Sequence, residues 1–194
     1  MKRGHHHGDL REALLTAGQH LLDREGIEGV TIRACARSAG VSHAAPINHF
    51  PDRRALLTAL AVQCMDQLDR QTRDALALAE PAPRARLEAL WDVSVAYGQA
   101  YPNRYRLMGR ADLRDTEDPA LKDMLERLLE PIAALGAQLV PGRLAARSLV
   151  LALCAALTGY VFMMIDGNLA TAHDPDSGQP LHRAILDLLL AGQG

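Results

Sequence analysis

Seven polar side chains crowd into one short stretch near the N-terminus: Thr31, Arg33, Ser42, His43, Asn48, His49 and Arg53. Their chemistry is hydrogen bonding and positive charge, not bond-making. An amide such as Asn48 can bridge the edge of an adenine, which makes it the best base reader of the set. Ser42, His43 and His49 are further candidates for polar contacts to bases. Thr31, Arg33 and Arg53 suit phosphate oxygens, which set affinity and register without reading sequence. Ala44, Ala45 and Ile47 allow close approach, and Ile47 can touch a thymine methyl. For Arg33, and for Arg37 nearby, an ordinary solvated helix face is the competing reading.

These groups need a frame that presents them together. Thr31 can cap a helix, its hydroxyl accepting from a free backbone N–H of the first turn. Ile32, Cys35 and Ala36 then recur at helical spacing. Gly40 supplies the left-handed backbone that ends this helix. Val41 plugs the turn. Ser42 caps a second helix running to about His49, with Pro46 inside it at the cost of one backbone bond. Phe50 and Pro51 stop it, and Asp52 caps the next. Two short helices joined by a glycine turn have helix-turn-helix geometry over 31–50, the second helix lying in the major groove. A plain helical hairpin has the same spacing.

No catalytic constellation is visible. No Gly-rich phosphate loop follows a strand, no His-Glu-x-x-His or paired Cys motif exists, and adjacency of Ser42 and His43 is not nucleophile–base geometry. The expectation is a non-enzyme without cofactor or bound metal.

The run Thr31…Ala39-Gly40-Val41-Ser42…His49-Phe50-Pro51-Asp52-Arg53 resembles the DNA-binding domain of the TetR family of bacterial transcriptional regulators over about Asp9 to Leu60. Relatives commonly carry Tyr at the place of Ile47, Lys at that of Arg53 and a larger aliphatic at that of Cys35. The resemblance implies a homodimer whose recognition helices enter two half-sites of a palindrome. It also implies a ligand in the C-terminal region that favours a conformer unfit for DNA.

Composition agrees with a helical protein. Apolar residues make up 48%, charged residues 23% and aromatics only 4%, and Ala and Leu dominate, which favours helix over sheet. The fold class expected is all-α: a helix-turn-helix domain over 9–55, then a helical ligand-binding and dimerisation domain over 56–194. Residues 1–57 hold eight Lys/Arg against six Asp/Glu, whereas the remainder holds thirteen against seventeen. The basic half is the one that must meet phosphates. Three scattered cysteines without a Cys-x-x-Cys pair and a polar N-terminus point to a reduced cytoplasm with no signal peptide.

The first eight residues carry Lys2, Arg3 and His5-His6-His7. This arm is read as a solvated tail, as an arm reaching phosphate or minor groove, or as a tag remnant or metal site. A first helix opens at Asp9, with Glu12 in a near capping box, and ends at Gly26. A long helix from Arg53 to about Ala79 spans roughly 40 Å. Pro81 and Pro83 break the chain before a helix from about Arg84. Trp91, Tyr97, Tyr101 and Tyr105 cluster there, with Pro102 interrupting. Core aromatics with polar tips at the rim are one reading. The other is the wall of a pocket for a small, largely apolar ligand, formed by Trp91, Tyr97, Tyr101, Tyr105, Met108 and Phe162. Leu121, Leu125, Leu128, Ile132, Leu135 and Leu139 mark an amphipathic helix kinked by Pro131.

Ser148 to Ile165 then runs eighteen residues without a charge. A membrane span is the weaker reading, because the run lacks an aromatic belt and a basic flank. A helix apolar all round is buried from several sides, often by another subunit. With the helix over 181–191 it would form a four-helix homodimer interface, the first helix covering about 145–165. Tyr97, Tyr101-Pro102-Asn103-Arg104-Tyr105-Arg106-Leu107-Met108, Thr158-Gly159 and Asp166-Gly167 are similar to a TetR C-terminal subgroup called the WHG domain, in which relatives often carry His-Gly at Thr158-Gly159. Two rivals stand beside the ligand-responsive repressor: a redox or metal sensor using Cys35 or His5–His7, and an α-helical enzyme that kept the fold.

Overall fold

The computed structural model describes residues 7–42, 45–140, 142–169 and 172–191, and among them regular structure is helical. The order is α1 (His7–Gly29), α2 (Ile32–Ser38), a 3-10 turn (Ala45–Asn48), α3 (Arg53–Leu78), α4 (Pro83–Ala100), α5 (Pro102–Gly109), a second 3-10 turn (Ala111–Leu113), α6 (Pro119–Leu139), α7 (Arg143–Ile165) and α8 (Leu181–Leu190). The all-α expectation holds.

The helices group into two compact units, one reaching to Met65 with Asn103–Met124, the other Asp66–Pro102 with Leu125 onward. The expected split after residue 55 lacks this return of 103–124. α3 contributes its first half to one unit and its second half to the other.

In the first unit α1, α2 and the start of α3 enclose a core of Leu14, Leu22, Cys35, Phe50, Leu57 and Leu60, each at most 3% exposed. Leu107 of α5 is fully buried in the same core. Three helices meet at Gly18. A Cβ there would stand 3.0 Å from Leu60 Cδ1 and 3.4 Å from Cys35 Sγ. A small residue at 35 fits that close approach.

α1 departs from expectation at both ends. It already runs from His7, so Asp9 lies within its first turn and not at a cap. Gly26, at φ 74, breaks the helix, but one more turn follows to Gly29. Asn103 Nδ2 donates to Asp23 O at 3.3 Å, and the Arg104 guanidinium grips both oxygens of the Asp23 carboxylate at 2.6–2.7 Å. Arg54 donates twice to Arg114 O, at 2.9 and 2.8 Å, and Thr58 Oγ1 accepts from Asp115 N at 2.8 Å. These bonds bind the 103–124 segment to α1 and α3.

In the second unit α4 packs on α7 and α8. Asp92 accepts from His182 Nε2 at 2.7 Å and from the Arg183 fork. Burial alone would raise the Asp92 carboxyl, but the hydrogen bonds and charge of Arg183 and His182 outweigh it and hold the carboxyl below its ordinary value. α6 continues through Pro131, with Ile132 and Leu135 buried beside it. Gly136 lets α6 approach α7, since a Cβ there would stand 2.7 Å from Val150 Cγ2.

Candidate nucleic-acid interface

Thr31 sits in extended backbone, φ −129 and ψ 154, and its Oγ1 accepts from Ala34 N at 3.1 Å. The cap uses a lone pair and leaves the hydroxyl proton free to donate. α2 presents Arg33 and Arg37 to solvent. Neither guanidinium makes a hydrogen bond or ion pair among the described residues. The helix ends in a Schellman motif: Val41 N donates to Ala36 O at 3.0 Å and Gly40 N to Arg37 O at 3.2 Å, with Gly40 at φ 69.

After the turn the structure departs from the sequence reading. The expected helix from Ser42 to His49 is, in its described part, a single 3-10 turn, Ala45–Asn48. Pro46 explains the tight geometry. It donates no backbone hydrogen bond, and its ring disfavours helical backbone at Ala45. Pro46 O accepts from both His49 N and Phe50 N at 2.9 Å, which closes the turn. Ser42 and Asn48 are exposed, and His49 is half-buried. His43 and Ala44 lie outside the described residues, as do the side chains of Ala45 and Ile47 and most of the His5–His7 arm. Phe50 is buried at 3% exposure, with the Arg11 guanidinium 5.5 Å from its ring centroid. Asp52 Oδ1 accepts from Ala55 N at 2.7 Å and caps α3 as expected.

Arg53, expected to hold a phosphate, is bonded within the protein. Its guanidinium turns inward, where Nε donates to Val30 O at 2.8 Å and Nη2 to Ile27 O at 2.6 Å, with Glu28 at 3.4 Å. Those carbonyls lie at the C-terminal end of α1, where helices leave acceptors without partners and favour positive charge. Arg53 therefore ties α3 to the joint between α1 and α2.

Cys35 bears on the redox alternative. It is 1% exposed, and burial pushes its thiol up to about 11, against a small lowering from its own backbone. The ordinary value of 9.0 implies roughly 100-fold less thiolate at pH 8 than a free thiol has, and thiolate is the reactive form. We expect Cys35 labelling by a thiol reagent at pH 8 to be at least about 100-fold slower in the folded protein than in urea. Equal rates, followed by mass spectrometry, would revive the redox sensor.

The residues expected to wall a ligand pocket are divided. Tyr105 and Met108 lie on α5 in the first unit, where Met108 packs against the core. Trp91 and Tyr97 are buried in the second unit at 0% and 1% exposure, and the Tyr97 and Tyr101 rings lie 5.2 Å apart. Phe162 is on α7. Trp91 Nε1 is buried without a partner among the described residues. Two cavities of this unit are lined by other residues. One of about 580 Å³ lies between α6 and α7, against Leu129, Ala133, Val150, Leu151 and Cys154. One of about 310 Å³ is lined by Arg73, Arg86, Glu130 and Leu135, among others. Aromatic spacing gave no signal for either.

A family model described as bacterial regulatory proteins, tetR family, matches residues 14–60. A second, described as the tetracyclin repressor-like C-terminal domain, matches residues 87–188. Among solved structures the chain is similar to a protein of unknown function from Rhodococcus sp. RHA1, at 29% identity and TM-score 0.78 over 99% of each chain. It is similar in fold to a TetR family transcription regulator from Marinobacter aquaeolei VT8, at 18% identity and TM-score 0.66 over 96% of this chain and 95% of that one. The multidrug binding protein EbrR, complexed with imidazole, aligns at 21% identity and TM-score 0.61 over 93% and 94% of the two chains. No curated protein matches the chain.

Proposed function

The chain belongs to the TetR family of bacterial transcription regulators, and from that premise we propose that it is a cytoplasmic repressor released from a palindromic operator by a small-molecule ligand. DNA binding and regulation of transcription come with the family; the repressor sign, the operator symmetry and the ligand are the proposal. The observation that carries it is the exposed polar surface of the 31–50 motif, set on a buried core and tied to it by its own caps and Arg53. Two copies joined through α7 and α8 would supply two such motifs, one for each half-site of a palindrome. An apolar α7 with much of its surface uncovered supports that joint: Ala145–Ile165 has a mean hydropathy of 2.2 and is 28% buried.

Asn48 is the proposed base reader, with Ser42, His43 and His49 beside it. Thr31 and Arg33 are the proposed phosphate contacts. Nuclease footprinting on the DNA upstream of its own gene is the test, and a protected near-palindrome is the expected result. Asn48→Ala should cost about 1–3 kcal/mol on that site and relax preference at one base pair. Arg33→Ala should weaken all sequences alike and reduce the salt slope by about 1 per contact. No enrichment of any site from random DNA would overturn the reading.

For the ligand, the buried indole N–H of Trp91, without a partner among the described residues, supports a contact to an acceptor atom. EbrR with imidazole is one fold relative seen with a small molecule bound. The WHG reading of Tyr101 to Met108 belongs to this proposal as well. Induction unchanged by substitution of Trp91 and Tyr97 would remove these aromatics from the ligand site.

A further inference from the structure

We propose that the cleft between the end of α3, the first turn of α4 and the C-terminal half of α6 binds a small amphipathic carboxylate, with Arg86 holding its head group. Its regulatory consequence rests on the ligand-released reading above; its existence as a binding site does not. The cleft holds about 310 Å³, at the lower end for small-ligand sites. Its charged members are Arg73, Arg86 and Glu130, and its apolar wall includes Leu76, Pro131 and Leu135.

The three charges are not equivalent. Arg73 Nε donates to both oxygens of Asp69, at 3.1 and 3.0 Å. Asp69 is 4% exposed, so Arg73 is fixed by a buried counter-charge. The Asp69 hydrogen bond and charge raise the Arg73 pKa, and exposed Glu130 adds the smallest contribution. Arg86 is half-buried, and its guanidinium makes no hydrogen bond or ion pair among the described residues. A guanidinium that gives up hydration without gaining an acceptor is costly. A carboxylate offers two acceptors matched to its fork. The apolar wall asks for a hydrocarbon body behind that head. Inorganic phosphate has the charge and lacks the body.

Isothermal titration of the full chain, without DNA, tests this with sodium octanoate, 1-octanol and phosphate as probes. Octanoate should bind at least tenfold more tightly than either of the others. Arg86→Ala should erase the preference, Arg86→Lys should keep part of it, and Glu130→Gln should raise octanoate affinity by removing a like charge. Circular dichroism would verify that the variants fold. Equal affinity for octanoate and octanol, no octanoate binding, or unchanged affinity in Arg86→Ala would overturn the proposal. Release from operator DNA is read separately. Octanoate binding that depends on Arg86 supports the cleft even where the operator complex persists, and that persistence would count against the ligand-release reading alone.

Discussion

Leu151→Glu combined with Leu188→Glu is expected to convert the protein to a monomer and to lower operator affinity by about 10²–10⁴-fold, the avidity lost when two half-sites are no longer linked. Leu151 on α7 is 70% exposed and Leu188 on α8 is 78% exposed. A two-fold interface uses the same patch twice, so four leucines would be buried per dimer. Each contributes about 1.5–3 kcal/mol when taken out of water. A glutamate in its place would have to lose hydration in an apolar interface without a counter-charge, which adds a penalty to the lost burial. Sedimentation equilibrium and footprinting of the same preparation check both halves of the claim. A persistent dimer with full DNA affinity would place the interface elsewhere and leave the apolar face of α7 to another partner. The helix over Ala145–Ile165 is also long and apolar enough to cross a bilayer. Partition of the folded protein into vesicles would favour that alternative, whereas a dimer that stays in the aqueous phase would not.

What was legible in the sequence follows the distance over which each interaction acts. Thr31 and Asp52 cap through the backbone N–H three residues on, and the Gly40 turn closes on Ala36 and Arg37. Residue types at short spacing determine such bonds, so the frame of the motif could be read directly. The turn after Ser42 was harder. Pro46 was visible, but a helix with one lost bond and a tight 3-10 turn share the same residues, and only the backbone path distinguishes them. The 103–124 segment lay out of reach. Arg104 meets Asp23 across 81 positions, and nothing local to either residue announces the partner. What the aromatic cluster meets was out of reach for a related reason. Residues four apart share a helix face, but the spacing does not say what the face meets. The chain also breaks at Tyr101, so that Tyr105 and Met108 follow α5 into the first unit.

Arg53 makes the contrast between local and long-range reading measurable. Arg53→Ala is expected to lower stability by about 3 kcal/mol while leaving the salt dependence of DNA binding almost unchanged. Its two bonds, to Val30 O and Ile27 O, span 23 and 26 positions. Hydrogen bonds from charged donors contribute about 1.5–3 kcal/mol each, and a side chain 34% exposed belongs at the lower end. Ile27 O keeps a second partner, Val30 N at 3.2 Å. Val30 is fully buried, so its carbonyl is the costlier one to strand. A loss of that size corresponds to roughly 6–12 °C in melting temperature for a chain of this length. Arg53→Lys keeps the charge and loses the fork, so it should recover only part of the loss. A phosphate contact makes the opposite forecast: an unchanged melting temperature, and a salt slope smaller by about 0.9 for every contact removed. Thermal melts and binding at four salt concentrations separate the two. A flat melt with a reduced slope would return Arg53 to the DNA-facing surface.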